Sequence, residues 1–206
     1  MNVLLINGSP HASGCTFTAL SEIADTLRAE SVDSEIFQLG TKPVRGCVAC
    51  GVCSERGECA FQDDVLPALV DAVKRADAVV IGSPVYYAGP NGALCALLDR
   101  LFYSAGKYLA GKPGACVVSC RRGGASAAFD RLNKYFTVLQ MPVVSSQYWN
   151  SVHGFTPDDV RKDAEGLQTM RTLAHNLARQ LRMEAAVPPR TDHEEEHLWT
   201  SFADGK

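Results

Sequence analysis

The chain has 206 residues, 46% of them hydrophobic and 21% charged, and its formal net charge is −3. This composition is ordinary for a globular domain, and the net charge gives no electrostatic indication of nucleic-acid binding. No apolar run approaches the ~20 residues of a membrane helix, and the first residues lack the basic start of a signal peptide. We therefore expect a cytoplasmic protein whose eight cysteines serve metal binding or catalysis rather than disulfide bonds.

Apolar runs and amphipathic stretches alternate along the chain. In chain order, the pattern predicts strands at residues 2–7, 34–39, 77–84, 115–120 and 142–146. It predicts helices at residues 16–30, 63–75, 91–104, about 129–139, and from residue 156 through an apolar stripe ending at Leu181. The last helix carries its own start signal, with Thr156 as N-cap, Pro157 at N1 and Asp159 at N3. This alternation predicts an α/β three-layer sandwich whose five-stranded parallel sheet has the flavodoxin-like order 2-1-3-4-5.

Residues 1–183 are expected to form this domain, with a cysteine-rich loop at residues 46–62 after the second strand. Residues 184–206 are expected to form an extended C-terminal arm, because Pro188 and Pro189 break a helix. Two interpretations of the arm stay open. It is either a disordered end or a segment that docks on a partner subunit, since an extended segment cannot bury Trp199 within itself.

Four cysteines fall within thirteen positions and read C-x2-C-x2-C-x5-C, namely Cys47, Cys50, Cys53 and Cys59. Thiolate sulfur is the preferred ligand of soft metals and iron–sulfur clusters. Structural zinc sites usually have two C-x2-C pairs separated by a dozen or more residues, whereas here three cysteines are spaced evenly by three. The spacing favours a [4Fe–4S] cluster with Cys59 as its fourth ligand. A zinc site and metal-free thiols or a disulfide remain alternatives.

Three loops are predicted to follow the carboxyl ends of neighbouring strands, where ligands bind in this fold. The first opens onto a helix N-terminus, which offers unpaired N–H groups to a phosphate. It lacks both the Walker A and the dinucleotide glycine patterns, so a terminal phosphate fits best. The second joins aromatic and small residues, which suits a flat ring. The third has glycines that permit close backbone approach, and an arginine that suits negative charge.

The candidate cofactor-binding residues come from these three loops. In the first loop they are Ser9, His11, Gly14, Cys15 and Thr16. In the second they are Pro84, Val85, Tyr86, Tyr87, Ala88 and Gly89, and in the third they are Arg121, Gly123 and Gly124. Each loop also has a simpler interpretation, as a capped turn, as tyrosines covering the sheet end, or as a solvated arginine. No catalytic side chain is predicted.

The chain resembles the NADPH-dependent FMN reductase superfamily, and in particular its iron–sulfur flavoproteins. The resemblance rests on NGSPHASGCT, the cysteine run, SPVYYAGPNGALCALLDR and SCRRGG, and it covers roughly residues 1–182. It implies FMN as cofactor, with the phosphate near Ser9 and Thr16 and the ring near residues 84–89. It also implies a homodimer or homotetramer, and a cluster close to a flavin.

We therefore expect an FMN-dependent oxidoreductase that takes electrons from NAD(P)H and passes them to a small-molecule or redox-protein acceptor, through a [4Fe–4S] cluster if the cysteines hold one. One alternative is a cluster-free reductase of quinones or of nitro or azo compounds. Another is a non-enzymatic electron carrier, or a thiol or metal redox sensor. Trp149 and His153 follow the predicted fifth strand and either line the flavin pocket or serve packing and the surface.

Overall fold

The computed structural model describes residues 1–187 together with residues 198 and 200. The strands of its central parallel sheet are β1 (Asn2–Asn7), β2 (Asp33–Gln38), β3 (Ala78–Tyr86), β5 (Gly114–Cys120) and β6 (Ser151–His153). Their order in the sheet, β2-β1-β3-β5-β6, confirms the predicted flavodoxin-like arrangement. A two-residue strand, β4 (Gly89–Pro90), folds back antiparallel on the end of β3.

Helices cover both faces of this sheet, because its central strands are buried on both sides. They are α1 (Cys15–Ala29), α2 (Val52–Arg56), α3 (Leu66–Arg75), α4 (Gly92–Ala105), α5 (Ala125–Val138), α6 (Pro157–Lys162) and α7 (Ala164–Ala186), and a 3-10 turn, Gly106–Tyr108, follows α4. Helices α1 and α7 pack with Val3 and Leu5 on one face, while α3, α4 and α5 pack with Leu4 and Ile6 on the other. Among the described residues, no helix is long and apolar enough to cross a bilayer.

The position of the last strand differs from the prediction. Residues 142–146 make a single isolated bridge, between Gly114 and Val143, and the ladder resumes only at β6 beside residues 118–120 of β5. Pro142 has no N–H to donate, and Val143 is 42% exposed. The stretch makes the two hydrogen bonds of this bridge, from Gly114 N to Pro142 O at 2.9 Å and from Val144 N to Gly114 O at 2.8 Å, but the pairing does not continue into a strand.

The predicted C-terminal helix is two helices. The capping box of Thr156 and Asp159 starts α6 as predicted, but α6 ends after six residues. Asp163 then caps α7, accepting hydrogen bonds from Gly166 N at 2.9 Å and from His153 N at 2.7 Å. Helix α7 continues to Ala186, into the first residues of the predicted arm. Trp199 and Phe202, on which the arm prediction depended, lie outside the described residues.

Candidate functional site

The first loop, residues 8–14, is held by two polar side chains of the strands beneath it. Asn7 is fully buried; its Nδ2 donates to Gln38 Oε1 at 2.5 Å, and its Oδ1 accepts from Ser9 N at 3.2 Å. Gln38 Nε2 in turn donates to Ser9 O at 2.7 Å. The buried Ser9 hydroxyl accepts from His11 N at 3.1 Å. The loop backbone is thus fixed from below, which leaves its outer side available to a ligand.

This loop leads directly into α1. The N-cap residue is Gly14, and no side chain caps the helix there. The first amides of α1 therefore remain available to an anion. Thr16 is buried, and its hydroxyl lies 2.8 Å from the hydroxyl of Ser119 at the end of β5. Burial raises the pKa of the Cys15 thiol, so this cysteine is neutral at physiological pH.

The second loop is a tight hairpin formed by the end of β3 and β4. Val85 pairs with Pro90, and Tyr86 pairs with Gly89. The two residues at the tip, Tyr87 and Ala88, have φ values of 49° and 59°. The left-handed region is costly for residues other than glycine, and such strain is concentrated at functional sites. The ring of Tyr87 is fully exposed, so this hairpin presents an unpaired aromatic side chain to solvent.

The third loop packs against the hairpin through a glycine. Gly124 has a φ of +91°, and a Cβ placed on it would lie 2.8 Å from Ala88 Cα. Only glycine permits both this backbone conformation and this approach. Gly123 has open space around it, and Arg121 is exposed beside it. Within residues 1–187, Arg121 forms no ion pair, so its charge is free to meet an anionic group.

Asn91, the N-cap of α4, joins the first loop to the second. Its Nδ2 donates to Gly8 O at 2.7 Å, and its backbone N donates to Ser83 Oγ at 3.0 Å. Together with the Thr16–Ser119 pair and the Gly124–Ala88 contact, this residue links all three loops at the carboxyl edge of the sheet. The sequence predicted that the loops converge but did not single out Asn7, Gln38 or Asn91. Their polar side chains lie at predicted strand or helix ends, and this position is the feature of the sequence that could have identified them.

The segment before β6 lies beside this edge. Trp149 is 57% exposed and packs against Tyr148 with ring centroids 5.2 Å apart and ring planes tilted by 47°, so it is not a core residue. His153 Nδ1 lies 3.6 Å from Asp163 Oδ2. Gly154 donates to Cys120 O at 3.1 Å, and its own carbonyl lies 3.8 Å from Cys15 Sγ. These contacts close the side of the site formed by α1 and β5.

The four cysteines of the run line one cleft of about 300 Å³, together with Phe61, Arg100 and Tyr103. All four thiols are free; Cys47 and Cys50 are exposed, whereas Cys53 and Cys59 are partly buried. Helix α2 carries Cys53 and lies between two glycines in the left-handed conformation, Gly51 and Gly57. The donor set suits a soft metal centre, because four cysteines line one cavity. In the part of the chain that the structure describes, no three side chains form a preassembled metal-binding group.

Arg100 of α4 anchors this cysteine loop. Its side chain is 1% exposed and pairs with Asp64, which is 8% exposed. The guanidinium also donates to Phe61 O at 2.6 Å, Arg45 O at 3.2 Å and Cys59 Sγ at 3.4 Å. Burial opposes ionisation of Asp64, but the bonds from Arg100 and from Leu66 N outweigh it and hold the pKa of Asp64 below its ordinary value. The sequence prediction missed the role of Arg100, which follows Asp99 in a helix whose other residues are mostly apolar.

The two parts of the site lie along the same helix. Asn91, which joins the loops, precedes α4, and Arg100 lies nine positions further on. Nine residues of α-helix rise by ~14 Å. The cysteine cleft therefore flanks the side of α4, and the three loops meet at its N-terminus.

The model of the NADPH-dependent FMN reductase family matches residues 1–156, and the chain belongs to this family. Similar curated proteins are iron–sulfur flavoproteins. One from Methanocaldococcus jannaschii is 31% identical over 86% of this chain and 96% of its own length. One from Methanosarcina thermophila is 24% identical over 86% of this chain and 93% of its own length.

Solved structures share the fold at low sequence identity. RosB, solved with a bound 8-demethyl-8-formylriboflavin-5'-phosphate intermediate, superposes with a TM-score of 0.72 at 14% identity, over 98% of this chain and 92% of its own. A flavodoxin from the domain Archaea superposes with a TM-score of 0.58 at 16% identity, over 88% of this chain and 99% of its own. These likenesses establish the flavodoxin-like fold, in agreement with the strand order.

Proposed function

We propose that the protein is an FMN-dependent oxidoreductase that takes electrons from NAD(P)H and passes them to an acceptor through a [4Fe–4S] cluster. The observation that carries the flavin part is the set of three loops joined at one sheet edge beside the uncapped start of α1. The observation that carries the cluster part is the single cleft lined by all four cysteines. Membership of the FMN reductase family supports the flavin part, and the similarity to iron–sulfur flavoproteins supports both parts.

In this proposal the first loop and α1 hold the FMN phosphate. The amides at the start of α1 and the hydroxyls of Ser9 and Thr16 supply the donors. His11 and Gly14 shape the loop around them. Asn7 and Gln38 keep the backbone of the loop in place, so little ordering is required when the phosphate binds.

The hairpin and the third loop would hold the ring. Pro84, Val85 and the hairpin tip form one wall, and Gly123 and Gly124 bring a second backbone segment close to it. Arg121 would lie near the negative charge of the reduced flavin or of the nicotinamide dinucleotide phosphate. When bound, FMN supplies two-electron acceptance from NAD(P)H and single-electron release, while a cluster carries one electron at a time.

The cysteine loop would hold the cluster through Cys47, Cys50, Cys53 and Cys59. Cys47 and Cys50 are exposed, whereas Cys53 and Cys59 are partly buried, and all four line the cleft. This exposure suits electron delivery to an external small molecule or redox protein. We also propose a cytoplasmic homodimer or homotetramer, supported by the exposed aromatic side chains of Tyr87, Tyr103 and Phe155. Light scattering on a sizing column gives the assembly directly.

An anaerobic visible spectrum with iron and sulfide assays on the purified protein tests both cofactors. We expect flavin bands together with about four iron atoms and four sulfides per chain, the composition of the proposed cluster. Flavin bands without iron would remove the cluster from the proposal. Oxidation of NADH and NADPH with added FMN and a range of acceptors tests the enzyme, and no oxidation under any condition would refute the reductase.

A second candidate is a cluster-free reductase of quinones or of nitro or azo compounds. It is favoured by the finding that, among the described residues, no three ligands are preassembled for a metal. The Cys50→Ser variant separates the two candidates, because this exposed residue contributes only a thiol to the cleft. Loss of acceptor reduction, with flavin reduction by NAD(P)H retained, supports the cluster route. Unchanged acceptor reduction supports the cluster-free enzyme.

A further inference from the structure

Arg100 is a buried cation on α4, and in the described part of the chain the hydrogen-bond partners of its guanidinium lie between residues 45 and 64. The partners are chemically different: a thiol sulfur, two main-chain carbonyls and a carboxylate. A guanidinium has five N–H donors in a rigid planar arrangement, so it can donate hydrogen bonds to all four partners from one position. Within residues 1–187, the Arg100 side chain forms no other hydrogen bond or ion pair.

These partners tie both ends of the loop to the helix. Arg45 O lies just before the cysteine run, and Phe61 O lies just after it. Asp64 balances the positive charge, so the guanidinium can remain buried. The stretch between the two anchored ends holds all four cysteines, and Cys59 is the cysteine whose sulfur accepts from Arg100 Nε. The geometry therefore distinguishes Cys59 from Cys47 and Cys50, which are exposed.

We propose that Arg100 is a positioning residue for the cysteine site. It holds the Cys59 sulfur at the inner wall of the cleft before any metal binds, so that one ligand is preset and the other three close around the metal. Its Nε–H also donates to that sulfur after a cluster has bound, a consequence that rests on the proposed function. Hydrogen bonds to ligating sulfurs stabilise the more negative, reduced cluster, so Arg100 raises the reduction potential.

The first test uses metal-free protein and is independent of the cluster. Hydrogen exchange of the amides at residues 45–62 is compared between the parent, Arg100→Lys and the Arg100→Gln/Asp64→Asn pair. In Arg100→Lys, the lysine ammonium cannot reach all the partners of the planar guanidinium. In Arg100→Gln/Asp64→Asn, both buried charges are removed together, so neither is left buried without a partner. We expect exchange to be faster by about tenfold or more, the factor that one hydrogen bond to a charged group is worth.

Arg131→Lys is the matched control, because Arg131 bonds Tyr135 and Asp99 away from the loop. Its exchange at residues 45–62 should equal that of the parent. Unchanged exchange in both Arg100 variants would overturn the positioning role. After anaerobic reconstitution, a potentiometric titration followed by EPR should give a more negative midpoint in the Arg100 variants alone. Equal midpoints refute the tuning role, and iron-free protein refutes the proposed cluster and the tuning together, while exchange still decides the positioning role.

Discussion

Asn91→Ala is expected to remove the hydrogen bond that joins the first loop to the second and to destabilise the protein. Asn91 is 9% exposed; its Oδ1 accepts from Ala93 N at 3.1 Å, and its Nδ2 donates to Gly8 O at 2.7 Å. Loss of a helix N-cap costs about 1 kcal/mol. A buried carbonyl left without its donor costs a further ~1–3 kcal/mol. We therefore expect the free energy of unfolding to fall by about 2–4 kcal/mol.

Asn91→Ser separates these two contributions, because serine caps a helix but is too short to reach Gly8 O. The serine variant should keep the capping contribution and lose only the loop contact, a decrease of about 1–3 kcal/mol. Urea unfolding of flavin-free protein, followed by circular dichroism, measures the stability without ligand linkage. A fluorescence titration with FMN should show weaker binding by both variants. An alanine variant within ~0.5 kcal/mol of the parent, the range of neutral surface changes, would refute the reasoning.

Two further substitutions test other parts of the structure. Gly124→Ala places a Cβ 2.8 Å from Ala88 Cα at a φ of +91°. It should cost ~1–3 kcal/mol and weaken FMN binding, whereas Gly123→Ala, in open space, should leave the free energy of unfolding unchanged. The side-chain and backbone hydrogen bonds of Thr156 lower the pKa of Asp159. The ionised carboxylate therefore stabilises the folded state at pH values above the ordinary pKa of an aspartate. This stabilisation is lost as the pH falls through the lowered pKa. Acid titrations of unfolding should therefore show less pH dependence in Asp159→Asn; an identical acid profile would contradict this assignment.

Much of the fold could be predicted because its signals are local. The buried runs at β1 and β3 are continuous and apolar, which is typical of central parallel strands, and the capping box at Thr156 marks a helix start within four residues. The prediction of a strand at residues 142–146 was wrong, because an apolar run at the sheet edge has the sequence pattern of a strand whether or not its backbone is paired. The sequence prediction also missed the break between α6 and α7. Asp163 is both the C-cap of α6 and the N-cap of α7, so the two helices follow each other without an intervening loop.

Some parts of the candidate site could likewise be predicted from the sequence, and others could not. The glycine and hydroxyl residues of the first loop, the hairpin aromatics and the cysteine spacing are local patterns, and the sequence by itself identified them and the family. It could not identify the residues that hold these parts together. Asn91 reaches Gly8 across 83 positions, and Arg100 reaches Cys59 across 41. A polar side chain in an apolar helix has no periodicity of its own, so only the packed structure decides which distant backbone group it satisfies.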